Sequence, residues 1–193
     1  MQAAVELARE GGPTAIVLRE AARRVGVSPT AAYRHFDALD KLLEAVARNS
    51  LAALARSIEA ELAGRRPIDD MGQDAWDHLR AVGRGYVHFA LDEPGLFAVA
   101  FTRPKRSPAA EGGKGGSGLS PRDLLEQALD GMLAAGVLAA EDRLAAATAA
   151  WAAVHGLSLL LLGPMGGLPE AEREAIIEAA LDLVGRGLII RRK

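Results

Sequence analysis

The sequence of 193 residues contains no cysteine and few aromatic side chains. The lack of cysteine excludes disulfide bonds and thiolate metal sites. Aromatic residues make up 4% of the chain, whereas alanine, leucine, glutamate and arginine are abundant, and this composition favours helices over sheets. Half of the residues are hydrophobic, so a sizeable core can be buried. We therefore expect an all-α protein.

Several function classes lack their usual sequence features. The chain has no glycine-rich phosphate loop and no Ser-His-Asp or Cys-His set, so we expect neither an enzyme nor a cofactor or metal site. The N-terminus has no charged-then-apolar secretion signal, which predicts a cytoplasmic protein. A formal net charge of −2 gives no overall attraction to nucleic acid, so DNA binding would need a local arrangement of residues.

A long hydrophobic run occurs at residues 144–168, which carry no formal charge. Its length is comparable to the ~20 residues that span a bilayer. However, much of the segment is alanine, His155 and Ser158 interrupt it, and glycines with a proline break its last part. We interpret it as a helix that is apolar on all sides because it is buried on all sides, and we predict no membrane span.

The spacing of hydrophobic residues predicts about nine helices, with glycine and proline at most of their boundaries. The predicted helices cover residues 2–10, 18–25, 29–35, 40–62, 70–92, a short stretch that begins at Pro94, 121–135, 141–163 and 169–187. Between the sixth and the seventh, residues 103–120 are rich in glycine, serine, proline and lysine and have little to bury. We predict a mobile loop there.

The second and third predicted helices have the spacing of a helix-turn-helix. Ala22 is small enough for a close helix crossing, and Gly26 suits the left-handed position that ends a helix. Ser28 can cap the next helix, and Pro29 suits its first position. The third predicted helix would present one face to the inside of the domain and the other to its surroundings.

If Ala32 and Phe36 face inwards, five neighbouring residues face outwards: Thr30, Ala31, Tyr33, Arg34 and His35. Arginine can read guanine in a major groove, threonine or alanine can contact a thymine methyl, and tyrosine and histidine can reach phosphates. A solvated surface is the alternative interpretation, because residues 1–48 hold seven Lys or Arg against six Asp or Glu.

The stretches "LREAARRVGVSPTAAYRHF" and "LLEAV" resemble the DNA-binding end of TetR-type transcriptional repressors. A weaker resemblance lies in "YVHFALDEPGLFAVAF" and "WAAVHGLSLLLLG", which are similar to a TetR subgroup with a Trp followed by a His-Gly pair, here Trp151, His155 and Gly156. The resemblance implies a three-helix, helix-turn-helix DNA-binding domain over residues 1–46. A larger helical domain for effector binding and dimerisation would cover residues 47–193.

The resemblance further implies a transcriptional regulator, most simply a repressor. A homodimer would bind a near-palindromic operator in double-stranded DNA and leave it when a small-molecule effector binds. The residues predicted to contact DNA are Ser28, Thr30, Ala31, Tyr33, Arg34, His35 and Lys41.

Two further groups of residues lie in the helices that the resemblance assigns to the effector cavity and the dimer. The predicted effector pocket consists of Phe89, Phe97, Phe101, Met132, Trp151 and His155. Because most of these residues are apolar, a mostly apolar effector is expected. The predicted dimer interface consists of Leu157, Leu161, Ile176, Ile177, Ala180 and Val184.

Three departures from the family pattern predict weak operator binding. Val17 stands where relatives carry a Ser or Thr that caps a helix and contacts a phosphate. Leu39 stands where they usually carry Lys, and the basic N-terminal arm of many relatives is missing. Because each phosphate contact adds to affinity, we expect weaker binding than in a typical relative. A helical ligand-binding dimer with weak or lost DNA binding is therefore the alternative function.

Overall fold

The computed structural model describes residues 1–26, 39–101 and 113–188, and these residues contain eight α-helices and no strand. The helices are α1 (Gln2–Ala15), α2 (Leu18–Arg24), α3 (Leu39–Gly64), α4 (Met71–Asp92), α5 (Pro94–Phe101), α6 (Pro121–Ala134), α7 (Arg143–Leu162) and α8 (Glu170–Leu188). A short 3-10 helix, Ala140–Asp142, precedes α7. The all-α prediction is confirmed, while the helix predicted at residues 29–35 lies outside the described residues.

Local residues account for several helix ends. Gly11 and Gly12 leave helical geometry and kink α1 where the sequence predicted its end. Asp70 caps α4 by accepting a 2.8 Å hydrogen bond from the backbone N–H of Gln73. Ser120 and Asp123 form a reciprocal capping box at the start of α6, which the sequence interpretation missed.

The two longest helices, α3 and α4, cross closely in the middle of the molecule. A Cβ atom on Gly85 would lie 2.6 Å from the Cα atom of Ile58, so only glycine fits at this crossing. The main core lies around the crossing and draws side chains from α1 to α7. Ile58, Leu129 and Met132 are fully buried within it.

Helix α7 is not buried on all sides, so the interpretation of residues 144–168 needs correction. By length and composition the segment Ala140–Leu162 could cross a membrane, and only 28% of its most apolar window is buried. Its large exposed side chains are Leu144, Trp151, Leu159, Leu160 and Leu162. One face of the helix packs against the rest of the protomer, while another apolar face is left open.

A row of ionisable side chains ties α4 to α8 and to the end of α3. The row consists of Arg80, Arg84 and His88 on α4, with Glu174, Glu178 and Asp182 on α8 and Glu61 on α3. The spacing of four residues on both helices places Arg80, Arg84 and His88 each beside a carboxylate of the antiparallel partner helix. Arg84 lies at the centre, 2.7 Å from Glu178 and 3.6 Å from Glu61.

Glu178 gives this row an acid-sensitive contact. Burial alone would raise the pKa of Glu178, but hydrogen bonds from Arg84 and Arg80 outweigh it and lower the pKa. A carboxylate with a lowered pKa stabilises the fold above its unfolded pKa and loses that contribution as the pH falls through its folded pKa.

We therefore expect Glu178→Gln to lower the free energy of unfolding by about 1 kcal/mol at pH 7, since the pair is partly exposed. As the pH falls from about 5 to about 3, the free energy of unfolding should decrease less in the variant than in the wild type. Urea unfolding at several pH values measures both effects. Glu172→Gln, on an exposed residue of the same helix, is the matched control. Identical pH profiles for wild type and Glu178→Gln would contradict the assignment.

The end of the predicted mobile loop, residues 113–120, makes specific contacts with α3. The carboxylate of Glu59 accepts hydrogen bonds from the backbone N–H groups of Gly116 and Ser117, at 2.8 and 2.9 Å, and from the Ser117 hydroxyl. Gly113 is buried against Leu51 and the backbone of α3. Composition had suggested that little here would be buried. Residues 103–112 of the predicted loop lie outside the described residues.

Candidate functional site

The first helix of the predicted helix-turn-helix and the glycine that follows it have the expected geometry. Helix α2 ends at Arg24, and Gly26 follows with a φ of +70°, the left-handed conformation that glycine adopts at little cost. Ala22 is buried at 2% exposure, as a close helix crossing requires. The left-handed conformation predicted for Gly26 is confirmed, whereas the helix that Ala22 was predicted to let approach lies outside the described residues.

Most of the residues predicted to contact DNA lie outside the described residues. These are Ser28, Thr30, Ala31, Tyr33, Arg34 and His35, and their roles remain predictions. Lys41 is described and lies exposed in the first turn of α3. Val17 and Leu39, the two departures from the family pattern, are also exposed, and Val17 makes no side-chain cap at the start of α2.

The two arginines at the end of α2 are paired within the domain. Arg23 lies 2.6 Å from Glu20, and Arg24 lies 2.6 Å from Glu10. Their positive charge is therefore offset by neighbouring carboxylates. This pairing reduces the attraction that α2 offers to phosphates.

Four of the six residues predicted for the effector pocket come together around Tyr86. Phe97 and Phe101 of α5 lie with their ring centroids 5.4 and 4.8 Å from that of His155 on α7. Trp151, one turn before His155, lies 6.4 Å away. We call these five residues, Tyr86, Phe97, Phe101, Trp151 and His155, the aromatic cluster.

Hydrogen bonds connect the polar atoms of the aromatic cluster in a chain. The Trp151 Nε1–H donates to the Tyr86 hydroxyl at 3.4 Å, and that hydroxyl lies 2.8 Å from His155 Nδ1. Burial raises the pKa of Tyr86, which keeps its hydroxyl protonated, and burial lowers the pKa of His155. His155 is therefore neutral at neutral pH.

Phe89 and Met132, the other two predicted pocket residues, are ordinary core residues. They are 4% and 0% exposed and pack among the apolar side chains of the main core. Tyr86 was missed by the sequence interpretation. The sequence offered one signal for it: Tyr86 lies on the apolar stripe of α4, and a buried tyrosine hydroxyl needs a hydrogen-bond partner.

A separate surface cavity of about 260 Å³ lies between α4 and α6. It is lined by small and apolar residues together with Asp74, His78 and Gln127, and none of the predicted pocket residues borders it. Buried His78 Nε2 has no hydrogen-bond partner there among the described residues. Its volume lies just below the range of about 300–1,000 Å³ that is typical of ligand pockets.

The predicted dimer residues divide into two groups. Leu157, Ile176, Ala180 and Val184 are partly exposed on α7 and α8, whereas Leu161 and Ile177 are 1% and 0% exposed. Leu161 and Ile177 pack with Val87 and Leu181 inside the protomer, so a second copy cannot contact them. This corrects their assignment to the interface. The large apolar residues that are exposed nearby are Leu159, Leu160, Leu162 and Leu183.

Comparison with protein families finds two matches in consecutive parts of the chain. Residues 1–46 match the family described as "Bacterial regulatory proteins, tetR family", and residues 79–184 match "Tetracyclin repressor-like, C-terminal domain". The second match alone covers more than half of the 193 residues. No curated protein is similar enough to count as a match.

Solved structures with the same fold cover nearly the whole chain. A protein with unknown function from Rhodococcus sp. RHA1 is 26% identical, with a TM-score of 0.75 over 97% of this chain and 92% of its own. The regulator PfmR from Thermus thermophilus is 20% identical, with a TM-score of 0.63 over 99% and 98% of the two chains. A single-residue variant of TetR from Acinetobacter baumannii AYE, solved with minocycline, is 20% identical, with a TM-score of 0.62 over 96% and 92%.

Proposed function

Because this chain belongs to the TetR family of bacterial regulatory proteins, we propose that it is a repressor that an effector releases from its operator. The operator would be near-palindromic double-stranded DNA, bound by a homodimer, and the effector would be a small, mostly apolar molecule. The family assignment makes the chain a DNA-binding regulator with a helical ligand-binding domain. The order of the two matched domains is the observation that carries the proposal.

The contact between the two domains supports release by an effector. Helix α5 carries Phe97 and Phe101 of the aromatic cluster, and its Gly95 packs directly on α1 of the DNA-binding domain. A Cβ atom on Gly95 would lie 2.1 Å from the carbonyl oxygen of Ala8, so the two helices touch backbone to backbone. Arg9 and Glu93 add an ion pair of 2.9 Å beside this contact.

A ligand that moves α5 would therefore move α1 and, through it, the DNA-binding domain of the same protomer. Release follows if the effector binds more tightly to the conformation in which the two reading helices are wrongly spaced. The shift in operator affinity is limited by the difference between the affinities of the effector for the two conformations.

A second function is favoured by the DNA-binding domain itself. The exposed Val17 and Leu39 offer no phosphate contact, and Arg23 and Arg24 are paired with carboxylates. A ligand-binding dimer with weak or lost DNA binding would have these features. It would differ from the repressor in that selection from random DNA enriches no duplex.

We expect Arg34→Ala to weaken binding to the duplex enriched by selection from random DNA by about tenfold, because it removes a predicted contact to a guanine edge. Tyr33→Phe, which removes one predicted phosphate contact, should weaken binding to the selected duplex and to unrelated duplexes by the same factor. Fluorescence anisotropy at several salt concentrations measures both. Arg66→Ala, an exposed arginine beyond the end of α3, is the control and should have no effect. The repressor proposal is wrong if no duplex is enriched, or if Arg34→Ala binds like the wild type.

A further inference from the structure

The aromatic cluster forces one tautomer on His155. An indole N–H can only donate, so the oxygen of Tyr86 must accept from Trp151. The Tyr86 hydroxyl is then free to donate its own proton to His155 Nδ1, 2.8 Å away. If Nδ1 carried the proton instead, the Tyr86 oxygen would accept two hydrogen bonds and its O–H would lack an acceptor among the described residues. That orphaned hydroxyl would be costly, because Tyr86 is 6% exposed.

The proton of neutral His155 therefore sits on Nε2. Within the described part of the chain, Nε2 has no hydrogen-bond partner, while Nδ1 is already used. The imidazole is only partly buried; of the two rings beside it, Phe101 is partly exposed and Trp151 is 49% exposed. The cluster thus presents one N–H donor together with partly exposed ring surfaces that a flat molecule can cover.

The lack of charge in the aromatic cluster further restricts the chemical class of ligand that it can bind. All five side chains are uncharged at neutral pH, and two of them are phenyl rings. A carboxylate placed here would lose water without gaining a cation from the cluster, which is unfavourable. A neutral carbonyl or similar oxygen accepts the Nε2–H hydrogen bond without that cost.

We propose that the aromatic cluster binds a neutral, flat, mostly apolar molecule whose hydrogen-bond acceptor is recognised by His155 Nε2–H. Tyr86 is the positioning residue, since it fixes the tautomer of His155, and Trp151 fixes the direction of the Tyr86 hydroxyl. This inference rests on the proposed effector site and names the chemical class that the site selects.

Imidazole ¹⁵N chemical shifts test the tautomer directly in the full-length protein, because protonated and unprotonated ring nitrogens differ strongly. The chain has four histidines, and the His155 signals are identified by their loss in His155→Gln. The wild type should show Nε2 protonated at about pH 7.5, above the lowered pKa of His155. Tyr86→Phe should produce a mixture of tautomers, whereas His78→Gln should leave His155 unchanged. A protonated Nδ1 in the wild type, or no change in Tyr86→Phe, would overturn the proposal.

Three probes of similar size test the ligand class by isothermal titration calorimetry: acetophenone, ethylbenzene and benzoate. Acetophenone has a neutral acceptor, ethylbenzene lacks one, and benzoate carries a charge. We expect acetophenone to bind roughly fivefold more tightly than either of the others. His155→Leu should remove the preference over ethylbenzene, and His155→Gln should restore part of it because its amide can donate.

Three results would overturn the inference: no binding of acetophenone, equal affinity for acetophenone and ethylbenzene, or a preference that survives His155→Leu. Tighter binding of benzoate would show that a cation faces the site and would overturn the neutral class. Measuring the operator affinity of the same preparations distinguishes a failure of this proposal from a failure of the repressor proposal. Intact DNA binding without probe selectivity refutes the ligand class alone, whereas probe selectivity without DNA binding refutes the repressor proposal alone.

Discussion

The double substitution Leu160→Glu with Leu183→Glu is expected to convert the proposed homodimer into monomers of 20.2 kDa and to weaken operator binding by more than about a hundredfold. Leu160 and Leu183 are 48% and 68% exposed, and both belong to the open apolar faces of α7 and α8. Large exposed apolar patches mark protein interfaces. By two-fold symmetry, the substitution places four carboxylates in the interface, where their desolvation opposes association.

Sedimentation velocity measures the change in mass, and anisotropy with the selected duplex measures the loss of affinity. DNA affinity falls because a monomer reaches one half-site, whereas the dimer adds the contacts of two. Met71→Glu is the matched control, since Met71 is 72% exposed but lies beside α6, away from the open faces of α7 and α8. A double variant that remains dimeric would refute the assignment of this face.

Gly85→Ala is expected to lower the free energy of unfolding by about 3 kcal/mol, at the upper end for overpacking a core. The added Cβ would lie 2.6 Å from the Cα of Ile58 and 2.9 Å from both its nitrogen and the carbonyl oxygen of Ser57. All of these are backbone atoms, so no side chain can rotate away and α3 must separate from α4. The separation would also stretch the 3.0 Å hydrogen bond from the Ser57 hydroxyl to the Gly85 carbonyl.

Urea unfolding followed by circular dichroism measures this change, with an unaltered m-value as the sign of an unchanged unfolded state. Gly131→Ala on α6 is the control, because nothing lies within 4 Å of its Cβ position. In that helix alanine should raise the free energy of unfolding by about 0.5 kcal/mol. A Gly85→Ala variant as stable as the wild type would show that the two helices are not held at this distance.

The helix boundaries were largely predictable because their signals are local. Glycine and proline mark the kink of α1, the end of α3 at Gly64 and the start of α5 at Pro94, and the structure places all three as predicted. The capping box at Ser120 was equally local and was overlooked. Gly26 shows the same principle, since its left-handed φ follows from its place after a short helix.

The candidate site was only partly predictable, because it depends on contacts between distant segments. Trp151 and His155 could be paired from their spacing of one turn. Their link to Tyr86, 65 and 69 residues earlier, depends on how α7 packs on α4. For the same reason Phe89 and Met132 could not be told apart from Phe97 and Phe101, since all four are large apolar residues in helices of one domain.

By itself, the sequence determined that the chain is helical, where most of its helices begin and end, and that a helix-turn-helix precedes a larger domain. These properties follow from propensity, capping and spacing, which act within a few residues. Only the tertiary structure decided which side of α7 is open, so that Leu161 is buried while Leu160 is exposed. A helix that is apolar all round has no polar face to reveal its orientation, and its neighbours alone fix which side chains remain available to a partner.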